Sequence, residues 1–238
     1  MTASDTPAAG VKTEKGARTR QAILDAALEL LREEGVEGTT MRAVAERAGV
    51  SVGNAYYYFK SKEHLVQGFY DLTHREHVEA TRELLASETD FKERLRGVIL
   101  AKLETAEPYH RLSGLLFKTA ADPKSPLNPF SDESKEVRDE ATAMMREVVE
   151  GSTQKVPADI AEELPELLWL YLMSIVLFWI HDESEGRART RKLVDRTVDI
   201  VVRLVGLSRL PLMGPLRRNA IALVRDLRTH VEPERGED

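Results

Sequence analysis

The chain contains no cysteine, which excludes both a disulfide framework and a thiolate metal site. Aromatic residues are few, at 6% of 238. No stretch alternates apolar and polar residues for long enough to predict a β-strand. The longest apolar run, LLWLYLMSIVLFWI at 167–180, falls short of the ~20 residues that a membrane span requires. It predicts a buried helix. The opening MTASDTPAAGVKTEKG has no apolar core of a secretory signal and reads as a disordered arm over 1–16, with a cytoplasmic location expected. Phosphate-binding loops, nucleophile elbows and dinucleotide fingerprints are also missing, so no enzyme class is indicated and no cofactor is expected.

The composition is that of a globular protein, 42% apolar with a net charge of −6. The charge is unevenly spread. Residues 1–65 hold nine basic and nine acidic side chains, so the remainder of the chain carries the whole negative balance. Within the neutral part, 11–20 and 39–62 each hold four basic residues against one acidic residue. Two basic patches on an acidic molecule suit a protein that meets phosphates at one end only.

Helical periodicity dominates. Ile23, Ala26, Ala27, Leu30 and Leu31 form one face of a helix over 17–34, and Gly35 supplies its stop. Thr39 or Thr40 caps a short helix bearing Met41, Val44, Ala45 and Ala48. Gly49 allows a tight turn, Ser51 caps a second short helix, and Ser61 caps a long one running from Lys62 toward Ala86. Two short helices joined around a glycine, with Ala45 at the crossing and Val44, Ala48, Val50 and Ala55 along a shared seam, predict a helix-turn-helix. At about 100° per residue, a second helix that turns Ala55 and Phe59 inward turns Gly53 and Tyr57 outward, with Asn54 and Tyr56 on the flanks. A glycine inside a helix makes sense where another backbone approaches, phenols can donate to phosphate oxygens, and Lys60 and Lys62 add charge. The alternative, an aromatic edge of a helical core, explains neither the glycine nor the lysines.

The stretch TRQAILDAALELLREEGVEGTTMRAVAERAGVSVGNAYYYFKSKEHLV resembles the DNA-binding domain of the TetR/AcrR family of transcriptional regulators. Ala55 stands where a larger apolar residue is usual in that family, and Tyr58 where a histidine is frequent. The resemblance implies an all-α homodimer that binds a palindromic operator in double-stranded DNA, most commonly as a repressor. The expected organisation is a helix-turn-helix domain over 17–65, a larger helical effector-binding and dimerisation domain over 66–232 and a disordered tail over 233–238. Mapped onto these positions, the helix from Val52 to Tyr58 enters the major groove. The expected DNA face comprises Thr40, Arg42, Ser51, Val52, Gly53, Asn54, Tyr56, Tyr57, Tyr58, Lys60 and Lys62.

Six further helices are expected beyond residue 85, with ADPKSPLNPFSDES connecting two of them. Family members are commonly released from DNA by a small molecule. Candidates for lining its cavity are Tyr109, His110, Phe117, Met144, Trp169, Tyr171, Met173, Phe178 and Trp179, although core packing explains each of them singly. The scarcity of charge on the long apolar helix suggests an apolar effector. Leu193, Val194, Val198, Val201, Val202 and Val205 form a wide stripe, expected to pair with its copy across a two-fold axis. His74 and His77, three residues apart beside Glu76 and Glu79, could belong to a metal-binding bundle enzyme but read more simply as a solvated helix face. A DNA-binding protein without an effector is the remaining alternative.

Overall fold

The computed structural model describes residues 14–229, so the expected tail and most of the expected N-terminal arm lie outside the described residues. Every regular element among them is helical. The helices are α1 (Glu14–Gly38), α2 (Met41–Arg47), α3 (Val52–Tyr58), α4 (Lys62–Ser87), α5 (Phe91–Ala106), α6 (His110–Ala120), α7 (Lys135–Glu150), α8 (Ala158–Ala161), α9 (Leu164–Ile180), α10 (Ala188–Leu207) and α11 (Gly214–Thr229). The chain divides into two compact units between Phe69 and Tyr70, a few residues beyond the expected boundary at 65. No helix among the described residues is long and apolar enough to cross a membrane.

In the first unit, α1 begins at Glu14, so residues 14–16 of the expected arm are helical. Helical geometry breaks at Gly35, whose φ of +73° favours glycine. Ile23, Leu24, Ala27 and Leu31 are buried beside Val44, Ala45, Ala55, Phe59, Leu65 and Val66. Gly68 lets α4 come close to Phe59, since a Cβ at this position would lie 2.9 Å from the phenyl ring. The Arg20 guanidinium sits 4.9 Å from the centre of that ring.

The second unit is built around α5, α7, α9 and α10, whose buried residues form one apolar core from Leu85 to Val205. Helix α9 packs against α6, α7 and α10, which explains why it is apolar nearly all round. The antiparallel register of α5 and α10 is marked by a reversed charge pattern. Lys92 pairs with Asp199 at 2.7 Å, Arg96 with Asp195 at 2.8 Å, Glu104 with Arg191 at 3.6 Å and Glu107 with Arg187 at 3.3 Å. Slipping one helix by two turns would bring like charges together, so the ladder specifies register more than it adds stability.

The connection over 121–134 is an ordered loop. Leu127 is buried, Ser131 Oγ donates to the Pro126 carbonyl at 3.0 Å, and Phe130 meets the Trp169 ring edge-on at 5.6 Å. Before α10, Asp182 accepts hydrogen bonds from the backbone and hydroxyl groups of both Ser184 and Thr190. Burial alone would raise the Asp182 carboxyl, but these bonds outweigh it and hold the group well below the usual carboxylate range.

Candidate functional site

The geometry of α2, α3 and the turn between them follows from local chemistry. Thr40, not Thr39, caps α2, its Oγ1 accepting from the Ala43 amide at 3.2 Å; Thr39 Oγ1 donates to the Gly35 carbonyl at 2.7 Å. Gly49 takes φ +67° in the turn, and the Val50 amide donates to the Ala45 carbonyl at 2.9 Å. Ser51 Oγ then accepts from the Asn54 amide at 3.1 Å and starts α3. Ala45 and Ala55 are completely buried, so the two short helices meet through methyl groups.

This crossing decides what α3 presents to solvent. Ala55 and Phe59 point into the core, while Val52, Gly53, Asn54, Tyr56 and Tyr57 are exposed. Tyr57 is 79% exposed and Tyr56 49%, unusual for aromatic side chains without an external contact. Half-buried Tyr58 meets the Tyr57 ring edge-on at 5.1 Å. Space around Gly53 is open, and its φ is not positive, so neither strain nor a neighbouring protein atom requires a glycine there. Thr40, Arg42, Ser51 and Lys60 are exposed beside this face.

Two of the expected cations have partners within the unit. Arg47, one of the four basic residues in the 39–62 patch, reaches Glu33 at 2.9 Å and Glu29 at 3.3 Å on α1. Lys62 is the first residue of α4, and its Nζ donates to the Val36 carbonyl at 2.7 Å. An ammonium has three donors, so this bond orients Lys62 and leaves others for a second acceptor. In the N-terminal patch, Arg18 pairs with Glu14 and Arg20 lies over Phe59; Lys12 is outside the described residues.

The residues expected to line one effector cavity are dispersed. Met144 and Trp169 belong to the core of the second unit. His110 Nε2 bonds the Trp179 carbonyl at 2.8 Å, and Phe117 meets His181 at 6.1 Å between ring centres. Tyr109 and Met173 are half-buried, Tyr171 bonds Thr197, and Phe178 is exposed. Of these residues only Trp179 borders the cavity of about 260 Å³ lined by Leu103, Glu104, Glu107, Trp179, Arg187 and Arg191. Its wall carries two carboxylates and two guanidiniums beside Leu103 and Trp179. It also includes Arg187, held with φ +55° directly after Gly186 at +58°. The four charged residues stand at helical spacing with complementary signs, a signal present in the sequence and missed there.

The expected dimer stripe requires correction. Val194, Val198 and Val205 are buried in their own chain's core, and Leu193, Val201 and Val202 pack against that core. Among the described residues the exposed apolar side of α10 is instead Ile200, Leu204 and Leu207, with Ile200 55% and Leu204 53% exposed; α9 adds exposed Leu177 and Phe178. Periodicity revealed a wide apolar arc on α10, but its inner half is consumed by α5 and α9.

The solvated helix face expected around His74 and His77 is also corrected, because both imidazoles are buried. His77 Nε2 bonds the Val98 carbonyl at 2.8 Å, whereas His74 Nε2 lies 3.3 Å from Glu140 on α7. Burial pushes His77 down to about 3, helped by the nearby Lys102 charge, and burial likewise lowers His74. The two rings are directed to different partners. Among the described residues, no group of three or more metal-ligating side chains is gathered.

A tri-helical head with an exposed, phenol-bearing second short helix, linked to a larger helical unit, defines a helix-turn-helix DNA-binding protein. Residues 23–68 match the family described as bacterial regulatory proteins, tetR family, and residues 94–220 match the tetracyclin repressor-like C-terminal domain. The chain belongs to the tetR family.

Among curated relatives, the HTH-type transcriptional repressor KstR2 of Mycobacterium tuberculosis is 33% identical over 95 residues, covering 38% of this chain and 46% of the relative. KstR of Rhodococcus jostii is 57% identical over 47 residues, 20% of this chain and 22% of its own. The first curated relatives are thus matched over about half their length. Among solved structures, the Bacillus subtilis FadR complex with stearoyl-CoA has a TM-score of 0.60 at 18% identity, covering 76% of this chain and 97% of the other. A tetR regulator from Nitrosomonas europaea has a TM-score of 0.59 at 18% identity, covering 77% and 97%. At such identities the likeness is one of fold.

Proposed function

We propose that the protein is a ligand-responsive transcriptional repressor that binds a palindromic operator as a homodimer. One observation carries this reading: α3 buries Ala55 and Phe59 while leaving Val52, Gly53, Asn54, Tyr56 and Tyr57 open to solvent. In the major groove, Gly53 admits the DNA backbone or a base edge. Tyr56 and Tyr57 offer hydroxyl donors to phosphates and ring faces to thymine methyls, and Asn54 offers an amide to base edges. Thr40, Arg42, Ser51, Tyr58, Lys60 and Lys62 hold the flanking phosphates.

One short reading helix contacts few bases. Two copies about 34–36 Å apart read both halves of a palindrome, which gives dimerisation a mechanical purpose. The apolar outer faces of α9 and α10, with Leu177, Phe178, Ile200, Leu204 and Leu207, form the seam between copies. The effector is a small, largely apolar molecule held in the second unit, and support for such a ligand comes from the stearoyl-CoA complex of the related fold. Helix α4 contributes residues to both units and is the covalent route by which an occupied effector site shifts the reading heads.

The test is selection of bound fragments from the source genome by the purified protein, followed by affinity measurements at several salt concentrations. Recovery of a palindrome with steep salt dependence is expected. Failure to enrich any sequence removes the reading.

A further inference from the structure

Helix α3 reads VGNAYYY and carries neither arginine nor lysine. Those are the side chains that most often read guanine, through its two major-groove acceptors. The cations around this face stand off the helix. Arg47 is spent on Glu29 and Glu33, Lys62 is held by the Val36 carbonyl, and Arg42 and Lys60 lie on α2 and beyond the end of α3. The first residues of a reading helix are the ones that meet base edges. Here they are Val52, Gly53 and Asn54, all exposed. The Asn54 backbone amide donates to Ser51 Oγ, whereas among the described residues no hydrogen bond takes its carboxamide.

With Ala55 buried, a turn of about 100° per residue sets Gly53 at the middle of the outward face, with Val52 and Asn54 on either side of it. Both flanking side chains are short, so they reach base edges only if the α3 backbone comes close. A Cβ on Gly53 would meet no protein atom within 4 Å, so the space that this glycine leaves opens outward. Its bare backbone lets the two short neighbours touch the groove floor. A carboxamide offers a donor beside an acceptor. Adenine alone shows the matching pair on its major-groove edge, N7 as acceptor and the N6 amino group as donor. Guanine shows two acceptors, cytosine a donor, and thymine an acceptor with a methyl group that suits the Val52 methyls.

We propose that α3 reads A·T pairs in each operator half-site, with Asn54 bonding adenine N6 and N7, Val52 covering a thymine methyl group, and Gly53 setting the depth of the helix in the groove. This inference rests on the DNA-binding reading above and adds the class of base that the reading helix takes. Guanines in the half-site then fall where α3 does not reach.

Duplexes are first selected from a random-sequence library by the full-length protein, and the recovered palindrome is then remade with one altered base in one half-site. Replacing the adenine read by Asn54 with 7-deazaadenine, which lacks the N7 acceptor, should weaken binding about 3- to 10-fold. Uracil in place of the thymine beside Val52 removes only a methyl group and should weaken binding about 4-fold. Asn54→Ala should abolish the response to 7-deazaadenine and keep the response to uracil; Val52→Ala should do the reverse. Both side chains are exposed, so both variants should melt close to the unaltered protein. A palindrome with no fixed A·T pair in its half-sites, an unaltered protein indifferent to 7-deazaadenine at every adenine, or an equal response in Asn54→Ala would each overturn the proposal and leave the DNA-binding reading standing. Recovery of no palindrome would overturn that reading and the proposal with it.

Discussion

Arg94 Nε donates to the carbonyl of Val148 at 3.0 Å, joining the start of α5 to the end of α7. The same guanidinium bonds the carbonyls of Leu85 at 2.9 Å and Glu147 at 2.7 Å, and that of Glu88. A buried cation, 1% exposed and with no carboxylate partner among the described residues, is satisfied by the negative ends of two helices, α4 and α7. The role is structural.

Arg94→Met should therefore destabilise the protein by about 3 kcal/mol, because several buried carbonyls lose a charged donor. Gly151→Ala should also destabilise it by roughly 1–3 kcal/mol despite an ordinary φ of −77°. An added Cβ would lie 2.2 Å from Arg94 Nη2. Urea unfolding checks both, and an unchanged midpoint in either would deny the close fit.

On α3, stability and DNA binding should move in opposite directions. Gly53→Ala meets no neighbouring atom, so the free protein should gain about 0.5–1 kcal/mol from reduced helix-forming cost. Its operator affinity should nevertheless fall. Tyr57→Ala should weaken operator binding by about 1–3 kcal/mol with stability nearly unaltered. Thermal melts paired with operator titration separate these effects; undiminished affinity in both variants would move the DNA face elsewhere.

The two sides of α10 should respond differently to a charge. Leu204→Glu should yield a folded protein of monomer mass, because its side chain is half exposed in the isolated chain. Val198→Glu should fail to fold, since it places a carboxylate at a fully buried core position. Sedimentation and circular dichroism distinguish the outcomes. A well-behaved Leu204→Glu dimer would refute the proposed seam.

Acid should reveal His77. Its folded-state value is about 3 against an ordinary 6.5, so the unfolded chain binds the extra proton first. Its contribution is fully present above pH 6.5 and is lost as pH falls toward 3, at up to about 1.4 kcal/mol per pH unit. His77→Gln, which can still donate to the Val98 carbonyl, should flatten that part of the stability profile. An identical acid limit for both proteins would assign the acid sensitivity to other groups.

What the sequence by itself determined was local. Gly49 in the left-handed region, Thr40 and Ser51 as caps, and the 3.6-residue spacing of Ala55 and Phe59 act within a few residues of each other, so they specified the helix-turn-helix and the outward face of α3. Helix positions beyond residue 85 were legible for the same reason, save for the short α8. Tertiary structure alone decided which half of α10's apolar arc faces the core, because that depends on where α5 and α9 lie. It also decided that Arg47 answers Glu29 and Glu33, that Lys62 is held by Val36, and that His74 and His77 are buried. Those outcomes depend on groups brought together by packing from distant parts of the chain, and periodicity along one helix carries no information about what stands across from it.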